Sequence, residues 1–266
     1  MLSLISEGQD FEVRDLPDDA VIWRYMDLSK FLWTLAGSSL YFASIAQLAS
    51  DDPYEGILPP AFGEELRRKW PQLPDEDRRR LCEYIGRAFG KKIPSLDDSM
   101  AVFQKQYEHL SRRTFVNCWY YGALESAAMW TLYAAGGSGI AIRTTAARLK
   151  NALRARNPSA EFASRLVFYY DQTAQELPNL AEDINTVAFL KTRSYAHECE
   201  YRIVFEELSA QDLSAGRRFD CDLNELIERV VLSPYAEDYI VDPISDLLER
   251  YAITCDSGKS PLMQIS

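Results

Sequence analysis

Histidine is nearly absent: the 266-residue chain carries two, His109 and His197, and that excludes a histidine-rich metal centre. His109 lies in a charged helical stretch and reads as a surface residue, whereas His197 borders a carboxylate-rich strand. Cysteine is sparse as well. Cys82, Cys118, Cys199, Cys221 and Cys255 are odd in number, widely spaced and free of any C-x-x-C pair, so neither a disulfide framework nor a zinc knuckle is implied. They read as buried thiols of a reducing compartment. No window approaches the roughly 18 apolar residues of a membrane span, and the opening "MLSLISEGQDFEVRDLP" has neither the basic start nor the apolar run of a signal peptide. A cytoplasmic protein without a membrane partner is expected. G-x-G-x-x-G, P-loop and G-x-S-x-G motifs are missing, and "GGSG" stands after a helix and before a strand, the wrong context for a phosphate-cradling turn. Basic residues are outnumbered 29 to 40, for a net charge of -11 and a pI near 4.8. That balance excludes a general phosphate-backbone binder, although a local basic groove remains compatible with it. There is no repeat, low-complexity tract or glycine- or serine-rich linker.

What is present is an ordinary globular composition, 47% hydrophobic and 12% aromatic, in a chain long enough for one large core. Strand patterning at Val21–Met26 gives way to Asp27 as an N-cap, a helix "LSKFLWTLA", a stop at Gly37 and a second strand "SLYFAS". From Pro59 to about Arg113 the chain turns charged and helical in pattern, which predicts a helical insertion at about 59–113 in a single domain spanning 1–266. Strand signals return at "TFVNCWYYG", followed by a helix in "ESAAMWTLYAA" and a strand "IAIRTT". A helix near 146–155 is followed by strands at "FASRLVFYY", "EYRIVFEE" and "RVVLSP", with helices near 180–194 and 237–250. This irregular interleaving predicts an α+β fold with a central mixed β-sheet and flanking helices. The sheet is expected to include the strands at Val21, Ser39, Phe115, Leu166 and Tyr201.

One stretch concentrates chemistry: "KTRSYAHECEYRIVFEE", Lys191 to Glu207. At the two-residue period of a strand, Cys199, Tyr201, Ile203 and Phe205 share one face, and Glu198, Glu200, Arg202 and Glu206 share the other, outward one. Acidic and basic groups at consecutive outward positions either form a solvated face or line a cleft.

Several segments together resemble the large, mostly bacterial family catalogued as domain of unknown function 2971. They are "LAGSSLYFASIAQLASDDPYEG", "NCWYYGALESAAMWTLYAAGGSGIAIRT" and "KTRSYAHECEYRIV", and they cover most of the chain outside the 59–113 insertion. The chain departs from the family at Asp51, where asparagine is usual. An arginine on the first strand, a serine ending another and a late glutamate-x-glutamate are also similar in order to the arginine–serine–glutamate signature of ADP-ribosyltransferases. In that mechanism an arginine grips the pyrophosphate of NAD, aromatics sandwich the nicotinamide, and a glutamate stabilises the oxocarbenium-like ribose as nicotinamide leaves. The resemblance implies catalytic roles for Glu200, Glu198 and Ser44. It implies NAD contacts from Arg24, Tyr25, Trp119, Trp130, Tyr133 and Arg202, with NAD as substrate and no metal. It also implies an ADP-ribosyltransferase-like or NAD-glycohydrolase-like enzyme of ADP-ribosyltransferase-like fold, a bacterial toxin or phage-defence effector, whose acceptor is a protein, a nucleic acid, a small molecule or water.

Blander readings stand beside these. Glu198, Glu200 and Arg202 as cross-strand ion pairs at a sheet edge would contribute about 0 to 1 kcal/mol. Arg24 as a structural residue would bond Asp52 or Glu55. Trp119, Tyr121, Trp130 and Tyr133 as core residues would follow from the helical spacing of "MWTLY", and Asp51–Tyr54 would be a turn. Two other classes of function also remain open. One is a metal-dependent nuclease or phosphoesterase, with Asp51, Asp52, Glu55, Glu198 and Glu200 around Mg²⁺. The other is a non-catalytic sensing or adaptor domain that binds a nucleotide or peptide.

Overall fold

The computed structural model describes residues 15–56, 64, 68–88, 111–134, 137–171, 173, 188–207 and 216–263. Among them nine strands form one sheet in a mixed α+β arrangement, as the sequence pattern predicts. The main path runs β11 (Asp256–Lys259), β10 (Arg229–Leu232), β4 (Gly139–Thr145), β1 (Val21–Asp27), β3 (Thr114–Tyr121), β2 (Ser39–Ser44) and β9 (Arg217–Asp220). A branch adds β8 (Glu200–Glu206) beside β3, and β5 (Phe162–Leu166) beside β8. All its pairs are antiparallel except β10–β11. A separate parallel pair joins β6 (Phe168–Tyr170) to β7 (Leu190–Thr192).

Period-two patterning explains the faces of this sheet. Ile22 and Met26 of β1, Phe115 and Trp119 of β3, Ile140 and Ile142 of β4, and Tyr201 and Ile203 of β8 bury one face in the main core. Phe31 and Leu35 of the helix Leu28–Gly37, Leu149 and Leu153 of Ala146–Arg156, and Ile244 and Leu248 of Val241–Arg250 cover it. The opposite face carries two smaller clusters. One packs Trp23, Tyr25, Ala141 and Val231 against Met129 and Trp130 of the helix Ala127–Tyr133. The other gathers Ile45, Val116, Ala188, Phe189 and Val204.

Register produces the feature that matters for the site. Strand β3 pairs with β1 only at Tyr120 and Tyr121, and with β2 only at Val116 and Phe115, along the same edge. Between these contacts β1 and β2 part, and the helix Leu28–Gly37 that joins them spans the opening. The sheet is forked there. The Tyr121 amide donates to Cys199 on the β8 side, so the two-residue alternation turns the Cys118 main chain the other way, into the fork.

Several sequence expectations need correction. The carboxylate strand does not face water: β8 lies between β3 and β5, with aliphatic cover on both faces, and Glu200 and Arg202 are buried. Glu198 is not on the strand at all. It ends a 3-10 turn, Arg193–Glu198, and Cys199 follows with φ 38 before β8 begins. The helix expected over 180–194 is replaced at its end by β7 and that 3-10 turn; its earlier part lies outside the described residues. Val167 interrupts "FASRLVFYY", splitting it into β5 and β6. The helix Leu28–Gly37 includes Gly37, and the left-handed cap is Ser38 at φ 42. Within 59–113, the described residues include a 3-10 turn, Trp70–Gln72, and a helix, Asp75–Ala88. His109 lies outside them. Asp27 caps its helix as expected, accepting the Lys30 amide. No disulfide links the cysteines, of which Cys199 is exposed rather than buried. Among the described residues no helix is long and apolar enough to cross a membrane.

Candidate active site

A cleft of about 650 Å³ opens at the fork and holds Arg24, Tyr25, Trp119, Tyr133, Glu198 and Glu200 in one lining. Its volume falls within the usual range of small-molecule sites, roughly 300 to 1,000 Å³. Arg24 belongs by alternation to the Ile22 and Met26 face, and Glu200 to the opposite one, opposing Tyr120 of β3. Only the fork lets both reach the same space. At the point where β1 leaves β3, the Arg24 Nη1 donates to the Cys118 carbonyl at 2.9 Å. The guanidinium lies 5.8 Å from the Trp119 ring centroid. Asn117 bridges the other side of the fork, donating to the Tyr41 carbonyl at 2.9 Å and accepting from the Trp119 indole at 2.6 Å. Burial pushes the Arg24 guanidinium below its ordinary range, while the Glu200 charge acts in the opposite sense. Neither Asp52 nor Glu55 forms an ion pair with Arg24 among the described residues.

Beside the fork lies a buried charge network. Arg202 is fully buried and grips Glu55 with both terminal nitrogens, Nη1 to Oε1 at 2.6 Å and Nη2 to Oε2 at 3.1 Å. Its Nη2 also donates to Glu200 Oε2 at 2.8 Å, and its Nη1 to the Ala188 carbonyl at 2.6 Å. Lys191 pairs with Glu198 Oε2 and stands 3.5 Å from Glu200 Oε2 and 3.8 Å from Glu55 Oε2. Its ammonium lies 4.7 Å from the Tyr195 ring centroid. Tyr133 donates to Glu198 Oε1 at 2.6 Å. The Glu200 amide is held by the Tyr169 hydroxyl at 2.8 Å.

Burial and neighbouring charge together decide the protonation states. Burial alone would raise the Glu200 carboxyl, but Arg202 and Lys191 outweigh it and hold the group down to about 2. Burial opposes the charge of Lys191 too, yet Glu200, Glu55 and Glu198 raise it above the usual lysine range. Burial and the adjacent Glu200 push the Cys118 thiol well up, which keeps it protonated. Among the described residues Glu55, Glu198 and Glu200 thus gather around Arg202 and Lys191.

The expected site residues divide accordingly. Arg24, Tyr25, Trp119, Tyr133, Glu198 and Glu200 come together. Trp130 does not line the cleft; it is buried, donating to Glu125 at 3.0 Å and packing edge-on against Tyr25 at 4.9 Å. Arg202 sits behind Glu200 as its counter-ion rather than in the lining. Ser44 lies outside the cleft as the N-cap of the short helix Ile45–Leu48: its hydroxyl accepts the Gln47 amide at 3.2 Å, and the Gln47 side chain returns a bond to the Ser44 amide. His197 is exposed and not in the lining. Sequence reasoning assigned no role to Lys191, Asn117 or Tyr169, which carry only the ordinary appearance of strand residues. Glu55 entered only as a partner for Arg24 or a metal ligand, whereas its partner is Arg202.

Of the carboxylates proposed for a metal, four have partners in the chain itself. Glu55, Glu198 and Glu200 surround the chain's own cations, and Asp52 Oδ1 accepts the Tyr54 amide at 3.0 Å in the expected turn. Among the described residues no group of three or more His, Cys, Asp or Glu is placed to hold a metal ion.

Residues 129–203 match the family model described as a protein of unknown function (DUF2971). The matched segment carries Tyr133, Lys191, Glu198, Glu200 and Arg202, while Arg24 and Glu55 fall outside it. No curated protein matches the chain. Two solved structures of Thermus sp. 2.9 DarT, one in complex with ADP-ribosylated ssDNA and one with NAD+, are each 8% identical to it. The first covers 93% of this chain and 97% of its own with a TM-score of 0.41. The second covers 92% and 96% with a TM-score of 0.38. At that level of likeness the site's chemistry rests on its own geometry.

Proposed function

We propose that the cleft binds NAD and cleaves its nicotinamide–ribose bond, passing ADP-ribose to an acceptor or to water. The observation that carries this reading is the convergence of Arg24 and Glu200 on one cleft lining. Among the described residues the partly buried Arg24 guanidinium has one neutral hydrogen bond and an aromatic face against it, and a buried carboxylate is held ionised in the same lining. A cation left short of an anion in a desolvated site is costly unless a ligand supplies the charge, and the planar fork of arginine suits a pyrophosphate. A fixed carboxylate in a dry pocket stabilises positive charge that develops at ribose C1′ as nicotinamide departs with the bonding electron pair. Tyr25 and Trp119 supply apolar walls for the heterocycle. Arg202 and Lys191 keep Glu200 ionised and oriented at neutral pH, so its charge needs no reorganisation during the reaction. Removal of cellular NAD, or modification of a cellular acceptor, is a chemistry suited to a bacterial toxin or phage-defence effector.

The test is release of nicotinamide from NAD by the purified protein. Glu200→Gln keeps shape and hydrogen-bonding capacity but removes the anion, so turnover is expected to fall by about 10²-fold or more while NAD binding survives. Wild-type turnover in that variant would reject the mechanism. Binding without release in the native protein would leave a nucleotide-sensing module instead.

A further inference from the structure

Glu198 is placed like a base for the acceptor, in the cleft lining beside Glu200, but both its oxygens already hold a partner. Oε2 meets the Lys191 ammonium and Oε1 accepts the Tyr133 hydroxyl at 2.6 Å. Tyr133 is the opposite case. It is 43% exposed, stands in the cleft lining with Glu198 and Glu200, and uses its hydroxyl proton toward Glu198. A phenol that donates one hydrogen bond keeps its lone pairs free to accept another.

We infer that Tyr133 is the residue that meets the acceptor, relaying the acceptor's proton to Glu198, with an O–H nucleophile such as water or an alcohol as the class it activates. This rests on the NAD reading above. With water the step balances as follows. The C1′–N1 bond breaks and its electron pair leaves with nicotinamide, while a lone pair of the water oxygen forms the new bond to C1′. The water proton passes to the Tyr133 oxygen as the Tyr133 proton passes to Glu198 Oε1. The products are nicotinamide, ADP-ribose and a protonated Glu198 that returns its proton to solvent. Burial and the bond to Glu198 push the Tyr133 phenol above its ordinary range, so it enters the step protonated, with its proton directed at Glu198. Lys191 is a positioning residue in this scheme: it occupies Oε2 and leaves Oε1 as the proton's destination.

Tyr133→Phe separates the relay from packing, because it deletes one hydroxyl and keeps the ring. Hydrolysis of NAD is expected to fall by about 10²-fold or more, the usual share of a positioned proton acceptor, with NAD affinity retained in calorimetry. Azide is an anion with no proton to lose, so it needs no relay. Adding it should restore nicotinamide release in Tyr133→Phe much more than in the native protein, with ADP-ribosyl azide as product, and Glu198→Gln should respond the same way. Unchanged hydrolysis in Tyr133→Phe, or a deficit that azide does not relieve, would overturn the relay while leaving NAD cleavage intact. Absence of nicotinamide release from the native protein, with water or azide, would overturn the NAD reading itself and the relay with it.

Discussion

Glu200 is a carboxylate in a place where desolvation alone would neutralise it. Two cations reverse that outcome, and the reversal has a measurable sign. The folded carboxyl titrates at about 2 against an ordinary 4.5, so its contribution to stability is complete above 4.5 and is lost as the pH falls from 4.5 toward 2. The thermal midpoint of the native protein should therefore drop through that window. Glu200→Gln should start lower at neutral pH, because Arg202 loses part of its compensation, and should show a flatter dependence below pH 4.5. Thermal unfolding from pH 7 to 2.5 reads both slopes; parallel curves would show that Glu200 is not the group responsible.

At the level of elements, the same residue type serves different ends according to where its segment stops. Ser44 ends β2 as the sequence suggests, but its hydroxyl closes a capping box with Gln47 at the start of the next helix. Loss of such a cap costs typically about 1 kcal/mol. Ser44→Ala is therefore expected to lower stability by about that amount in urea titration and to leave NAD turnover within about twofold of native, since an interaction outside the reacting site contributes nothing specific to the transition state. A turnover loss of 10²-fold with little change in stability would return Ser44 to the catalytic machinery. Glu198 owes its position to a similar local event. The left-handed turn at Cys199 breaks the strand alternation, so Glu198 approaches Lys191 and Tyr133 from a 3-10 turn while Glu200 approaches Arg202 from a strand.

For the whole molecule, the decisive feature is the fork between β1 and β2. A continuous sheet would have put Arg24 and Glu200 on opposite faces, separated by a strand. The open edge of β3 lets the Arg24 side chain enter the sheet plane, where it bonds the Cys118 carbonyl and joins the cleft. A ligand that fills this space binds the folded state alone and must raise its stability, by about 2.7 kcal/mol at a concentration one hundred times its Kd. NAD is expected to raise the thermal midpoint of the native protein in a concentration-dependent way. Arg24→Lys keeps the charge but not the planar fork, so the shift at equal NAD should shrink markedly. An undiminished shift in that variant would place the pyrophosphate elsewhere.

Much of this was legible beforehand where physics is local. The period-two runs of β1, β2, β3, β4 and β10, and the Asp27 cap, follow from neighbours along the chain, and the α+β order follows from them. The acidic and basic residues of the site were visible as types: Arg24, Glu198 and Glu200 stand out because charge is expensive beside apolar strand residues. Their environment was not visible, because exposure is a property of what packs on top. The alternation at Glu200 and Arg202 predicts a watery face and meets a buried one, since β5 and the segment around Phe189 arrive from distant parts of the chain. Lys191 and Glu55, unremarkable in their own segments, become essential to the network only when β7 and the turn after Asp52 are brought against β8. Register, too, is a long-range property, because where β1 ceases to pair with β3 depends on how far β2 reaches along the same edge. Local periodicity therefore marked the strands β1, β2, β3, β4, β8 and β10 but not β7, β9 or β11, while the fork that turns them into a cleft came from tertiary pairing alone.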